Sequence, residues 1–188
     1  MRRKGWLLAA FVANIALVGA AAEASTFLAM SREELVAGSA AVVDGRVTQV
    51  RSFWNAEHTA ILTEALVRVD DVIVGEAPTF VKVLTFGGTV GRMRIEASGF
   101  PTFAKGERQL LFLYREPADG SVRVNGYRLG QYRIERGADG SDVAVPMADA
   151  GTRLVRADKS FELPRTERLE DLKASVREDG ERLGRRVP

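Results

Sequence analysis

The sequence predicts a mainly β domain, a barrel or sandwich, with a short helix before the strands and an amphipathic helix at the C-terminal end. Three observations carry that expectation. Apolar and polar residues alternate over several short segments, as in strands that bury one face. Glycine, proline and aspartate mark turns between those segments. Only two stretches show helical signals, and no repeat of 20–50 residues is visible.

The first helix is signalled by Ser31 and Glu34, spaced as a capping box in which serine and glutamate satisfy two orphan amides. Gly38 is its natural stop. The period then changes to two. Ala41, Val43, Gly45 and Val47 alternate with Asp44, Arg46 and Thr48, which places the charged set on a solvated face. The phase slips near Val50, which implies a bulge. A second strand runs from about Ala60 to Val74, with Ile61, Thr63, Ala65, Val67 and Val69 on one face. Gly75 to Pro78 is a turn, and Phe80 to Phe86 is a third strand. Gly87 and Gly88 turn the chain into a fourth, in which Met93 and Ile95 alternate with charged neighbours.

After a loop from Gly99 to Gly106, Gln109 to Tyr114 is a continuous apolar run, read as a central strand buried on both faces. Asp119-Gly120 is a hairpin signal ahead of Val122 and Val124. Further strands are expected near Arg123 and over Gln131 to Ile134, with a turn at Asp139-Gly140. A final helix, about Glu167 to Arg182, starts from Thr166 as cap and carries Leu169, Leu172, Val176 and Leu183 as a narrow apolar stripe. That stripe is expected to dock on the barrel, with a partner-binding helix or a frayed tail as the competing readings. The domain plan is a leader over 1–24, a β-barrel over 25–147, an irregular connection over 148–165 and a helix with tail over 166–188.

The leader reading rests on Arg2, Arg3 and Lys4, then an apolar run from Trp6 to about Ala22, then Ala22-Glu23-Ala24 as a small-x-small cleavage pattern. Cleavage is expected between Ala24 and Ser25. The residues after Arg2-Arg3 fit the general secretory route better than the twin-arginine one. The expected location is therefore periplasmic or secreted, in a bacterium, with no stable membrane anchor after cleavage. The chain has 27 basic and 25 acidic residues, and without the leader 24 of each remain. A neutral surface cannot release enough counterions to favour nucleic acid, so no nucleic-acid partner is expected. The chain has no cysteine. That excludes a lipid-anchored thiol, a thiol nucleophile and disulfides, so stability must come from a buried core.

The series Ala40 to Val47, Thr63 to Gly75, Phe86 to Gly91 and Lys105 to Leu113 resembles a family of uncharacterised exported bacterial β-barrel proteins. More remotely, it is similar to netrin-like domains and the N-terminal domain of tissue inhibitors of metalloproteinases. The likeness covers roughly residues 35 to 135. It implies an OB-like Greek-key barrel of five strands. Those inhibitors place an N-terminal cysteine on the protease zinc, held by disulfides; here Ser25, Thr26 and Phe27 occupy that end. The inhibitory mechanism therefore does not transfer residue by residue.

His58 is the only histidine and sits in a polar connection, where an exposed loop residue is the simpler reading than a metal ligand. No serine lies in a G-x-S-x-G elbow. Gly87 to Gly91 is followed by an alternating strand pattern rather than a helix, so it reads as a turn and not as a phosphate loop. Asp139, Asp142 and Asp149 lack the ordered calcium ladder. Asp70 and Asp71 read as an exposed strand end with a bulge. No catalytic residue, metal site or cofactor is expected. Phe53 and Trp54, beside His58, are the candidate binding residues, with closure of the barrel end as the competing role. The function expected is a monomeric, exported, non-enzymatic binding module for an extracytoplasmic protein or a polymer. The alternatives are a protease inhibitor of netrin-like fold and a hydrolase with a dispersed carboxylate site.

Overall fold

The computed structural model describes residues 26–148, 153–155 and 163–188. The expected leader and the expected cleavage point at Ala24 and Ser25 lie outside the described residues, as does Asp149. The described chain opens with β1 (Thr26–Leu28) and α1 (Arg32–Gly38). The capping box at α1 is complete. The Glu34 amide donates to Ser31 Oγ at 3.2 Å, and the Ser31 amide donates to the Glu34 carboxylate at 2.7 Å.

Three long strands follow: β2 (Ala41–Trp54), β3 (Ile61–Gly75) and β4 (Phe80–Phe86). Next come β5 (Gly88–Val90) and β6 (Met93–Ile95), then β7 (Arg108–Arg115) and β8 (Val122–Val124). β2 pairs antiparallel with β3 and β7, β3 with β4, and β7 with β8. A parallel bridge between Val83 and Val122 joins β4 to β8 and closes the ring. The circuit β2-β3-β4-β8-β7 is a closed five-strand barrel in the OB-type Greek-key order. Met93 and Ile95 do not supply a barrel strand. They belong to a hairpin, β5 with β6, inserted between β4 and β7 and paired only with itself.

Bulges set the strand faces. The expected slip in β2 lies between Val47 and Gln49, where Thr48 has no partner across the pair. Because the extra residue shifts the phase by one, Val50 and Ser52 after the bulge lie on the same face as Val43 and Val47 before it. The earlier pair is core, whereas Val50 is exposed at the barrel mouth. Two more shifts, opposite Val42/Val43 and Asp44/Gly45, leave Ile73 and Asp70 of β3 as the extra residues.

The chain then leaves the barrel. A single 3₁₀ turn (Tyr127–Gly130) leads into β9 (Gln131–Arg136), which pairs with Gln109 to Leu111 of β7. β10 (Asp142–Pro146) adds to β9. Within the expected irregular connection, β11 (Arg153–Val155) pairs in parallel with β1. β12 (Glu167–Arg168) pairs with β10, and α2 (Leu169–Arg182) begins directly after it. Thr166 is therefore not the cap of α2. Arg168 occupies that position without a side-chain bond, because pairing with β10 holds Glu167 and Arg168 extended.

Two cores result, one on each side of the barrel wall. The inner one is filled by small and branched residues such as Val43, Val47, Ala65, Val67 and Val83. The outer one lies under α1 and α2 and contains Val36, Ile73, Leu110, Phe112, Leu169, Leu172 and Val176. β7 serves both, with Leu111 and Leu113 inward and Leu110 and Phe112 outward, as its continuous apolar run requires. The stripe of α2 is docked: Leu169, Leu172 and Val176 are at most 1% exposed. Each such side chain contributes about 1.5–3 kcal/mol of burial. Gly180 permits the closest approach, since a Cβ there would stand 2.8 Å from Val74 Cγ2.

Candidate functional site

At one end of the barrel, interior-facing positions change from aliphatic to hydroxylated. Ser52, Thr63 and Thr85 continue the rows that begin with Val50, Ala65 and Val83. Ser52 and Thr63 share a hydroxyl–hydroxyl bond of 2.9 Å. Thr63 Oγ1 donates to the Gly87 carbonyl at 2.6 Å, and Thr85 Oγ1 donates to the Pro101 carbonyl at 3.1 Å. These bonds fasten the β5–β6 hairpin and the following loop over the barrel end. Gly88 is required at that junction. Its φ is +135°, and a Cβ would lie 2.3 Å from Thr63 Oγ1 and 2.4 Å from Ser52 Oγ.

Between the hairpin and the loop lies a cavity of about 760 Å³. That is within the roughly 300–1,000 Å³ of ordinary ligand pockets. Its wall mixes hydroxyl side chains with Phe86, Phe100 and Phe103, the pair Arg94 and Glu96, and Arg128. Glu96 is the only carboxylate on that wall, and it is bound to Arg94 at 2.7 Å. Arg128 Nε donates to the Phe100 carbonyl at 3.0 Å. Gln131 secures the loop from below, donating to the Thr102 carbonyl at 2.6 Å and to Gln109 Oε1 at 3.0 Å. The mouth is thus preformed, its shape fixed by backbone carbonyls bonded to buried side chains.

Phe53, Trp54 and His58 lie on the β2–β3 hairpin, whose tip is at the same barrel end. Phe53 and Trp54 are half-buried and belong to neither core. Arg51 stands over the Phe53 ring at 5.1 Å. His58 is exposed, adopts φ +55° and stacks on Trp54 at 6.2 Å between centroids. None of the three lines the cavity. The residues that do were missed by sequence reading, although Thr63 on an otherwise aliphatic face was the available signal.

The densest cluster of charge lies elsewhere, under α2. Asp44 is 0% exposed, contrary to the solvated face expected for it, because α2 covers that side of β2. Arg108 grips it twice, through Nε at 2.9 Å and Nη2 at 2.6 Å, and Lys173 Nζ lies 2.7 Å away. Lys173 also bonds Asp71 at 3.0 Å, and Arg108 bonds Asp142 at 2.7 Å. Asp71 is a helix-docking residue rather than an exposed strand end. The bond to Asp44 raises the pKa of Arg108. Burial alone would lower that of Lys173, but its bonds to Asp44 and Asp71 outweigh burial and raise it. A smaller cleft of about 390 Å³ borders this cluster between Arg136, Asp142 and Arg168. Asp142 is already tied to Arg108 and Arg136. The cluster holds both cations in their charged forms, with Asp44, Asp71 and Asp142 engaged in ion pairs.

Among the described residues, no group of three or more histidine, cysteine, aspartate or glutamate side chains could hold a metal ion, and no helix is long and apolar enough to cross a membrane. No family model, curated protein or solved structure matches the chain.

Proposed function

We propose that the protein is an exported, non-enzymatic binding module whose ligand enters the barrel mouth. The observation that carries this reading is the preformed cavity between the β5–β6 hairpin and the loop from Glu96 to Phe103. Ligand sites are typically concave, largely built before binding, and provided with a few fixed polar groups. Each condition is met here by Thr63, Thr85 and Gln131, which hold the walls, and by the aromatic and hydroxylated residues that face the opening. Acid–base hydrolysis calls for two carboxylates facing one bond, whereas this wall supplies Glu96 alone, already paired. Export is supported by the leader pattern from Arg2 to Ala24.

The test uses Ser98→Trp, which fills the mouth from an exposed wall position. Immobilised protein is challenged with periplasmic extract and culture fluid. Native protein should retain a component that the Ser98→Trp form releases. Equal retention by both forms would put binding elsewhere, and chemical alteration of the retained component would contradict the non-enzymatic reading.

A further inference from the structure

Three rings run outward from the mouth: Phe86 and Phe100 line it, and Tyr127, which does not, packs on Phe100. Phe86 and Phe100 meet edge-to-face at 5.3 Å, and Phe100 and Tyr127 do so at 4.9 Å. Arg123 caps the far end, 5.5 Å from the Phe86 ring. The two end rings, Phe86 and Tyr127, are 39% and 42% exposed. With Phe100 between them they form a contiguous aromatic strip rather than singly exposed side chains.

The backbone under Tyr127 is unusual as well. Its φ is +57°, directly after Gly126 at +67°. Left-handed backbone is costly for a bulky side chain and persists where the surroundings enforce it, often at binding sites. Here it holds an exposed tyrosine ring beside the mouth. Glycine would occupy the position without that cost.

The wall beneath the rings narrows the ligand class. Ser52, Thr89, Ser98 and Thr102 present hydroxyls, which both donate and accept. A purely apolar ligand would strip water from them without compensation. A polyanion would need cations not already committed, but Arg94 on the wall is paired with Glu96, Arg128 on the wall donates to the Phe100 carbonyl, and Arg123 nearby is paired with Asp119. An extended peptide gains most from an open sheet edge lined by apolar side-chain pockets, whereas this wall sets six hydroxylated residues among its apolar ones. A chain of sugar rings satisfies both halves of the site. Its C–H faces lie on Phe86 and Tyr127, and its hydroxyl rim bonds the wall.

Resting on the binding reading above, we propose that the mouth and its aromatic lip bind a short, essentially uncharged oligosaccharide segment, with Tyr127 as the principal stacking residue. The full chain is titrated calorimetrically with the hexasaccharides of cellulose, chitin, starch and galacturonan, and separately with a pool of unstructured decapeptides. Backbone amide resonances of Gly87, Gly88 and Ser98 are followed in parallel. At least one neutral hexasaccharide should bind and shift those resonances. Tyr127→Gly should weaken binding by about tenfold or more, as expected for loss of one aromatic contact, while Tyr127→Phe keeps the ring and most of the affinity. Silence from all three neutral sugars, or binding unchanged in Tyr127→Gly, overturns the oligosaccharide inference. Peptide-induced shifts with the sugars silent would overturn it and leave the mouth as a binding site. No shift from either probe would overturn both.

Discussion

Beneath α2, Asp44 is closed to solvent and its oxygens are taken by Arg108 and Lys173, which reach on to Asp142 and Asp71. At the mouth, Thr63 and Thr85 are likewise buried and bonded, but the bonds hold a wall open rather than shut, and exposed rings stand above it. Both regions concentrate polar groups on one barrel. In the first, the charged groups tie β2, β7 and β10 to one another through Arg108 and dock α2 through Lys173. In the second, buried groups support others that face solvent. A cluster of buried titratable residues is often read as a functional site. The comparison shows why that inference needs geometry, because here the charged cluster lies under a helix with a smaller cleft beside it, and the less charged region has the larger cavity.

The contrast breaks first if the outer core is not part of the fold. Leu172 is 0% exposed beneath α2. Leu172→Ala should cost about 4 kcal/mol, within the roughly 2–5 kcal/mol for a buried leucine that leaves a cavity. Chemical denaturation measures this, and an unchanged midpoint would mean that α2 is only loosely attached. Asp44→Ala should cost somewhat less, about 3 kcal/mol, the low end for breaking a buried pair. Arg108 and Lys173 each retain a second carboxylate, which limits the loss.

A pH scan sharpens the same point with a smaller effect. The pKa of Lys173 is raised from 10.5 by its carboxylates, after burial has opposed them. Burial pushes Tyr132 in the outer core from 10.0 to about 12. In both cases the folded state keeps a proton that the unfolded chain has lost. Stability from these groups is therefore complete below about pH 10 and falls as pH rises toward 12. Tyr132→Phe should flatten part of that fall. An alkaline limb identical in the variant would show that Tyr132 is not the titrating group.

The inner barrel was legible because one rule governs it. Ile61, Thr63, Ala65 and Val67 alternate by strand geometry, and β7 reads as buried on both sides because it is. The capping box at Ser31 and the turn at Asp119-Gly120 are equally local. The outer face obeys contacts between distant segments. Asp44 looks solvated in β2, and only Lys173, far along the chain, explains its burial. Thr166 looks like a cap, but pairing of Glu167 and Arg168 with β10 moves the start of α2. The β5–β6 hairpin has strand periodicity, yet nothing local tells whether such a strand joins the barrel. The mouth was half legible. Phe53, Trp54 and His58 lie at the same barrel end as the cavity without lining it, and the cavity depends on loop closure through Pro101 and Gln131. Nothing in period or composition reveals that Tyr127 adopts left-handed backbone.

On the binding reading, the charged cluster serves stability and the aromatic lip serves ligand contact. Denaturation midpoints of Asp44→Ala and Tyr127→Gly, taken in one buffer near pH 7, test that division directly. Asp44→Ala should lose about 3 kcal/mol. Tyr127→Gly gives up a ring contact of about 0.5–1.5 kcal/mol but relieves a backbone cost of about 1–2 kcal/mol, so its stability should stay within about 1 kcal/mol of the native protein. Comparable losses in the two variants, or a larger one in Tyr127→Gly, would contradict the account.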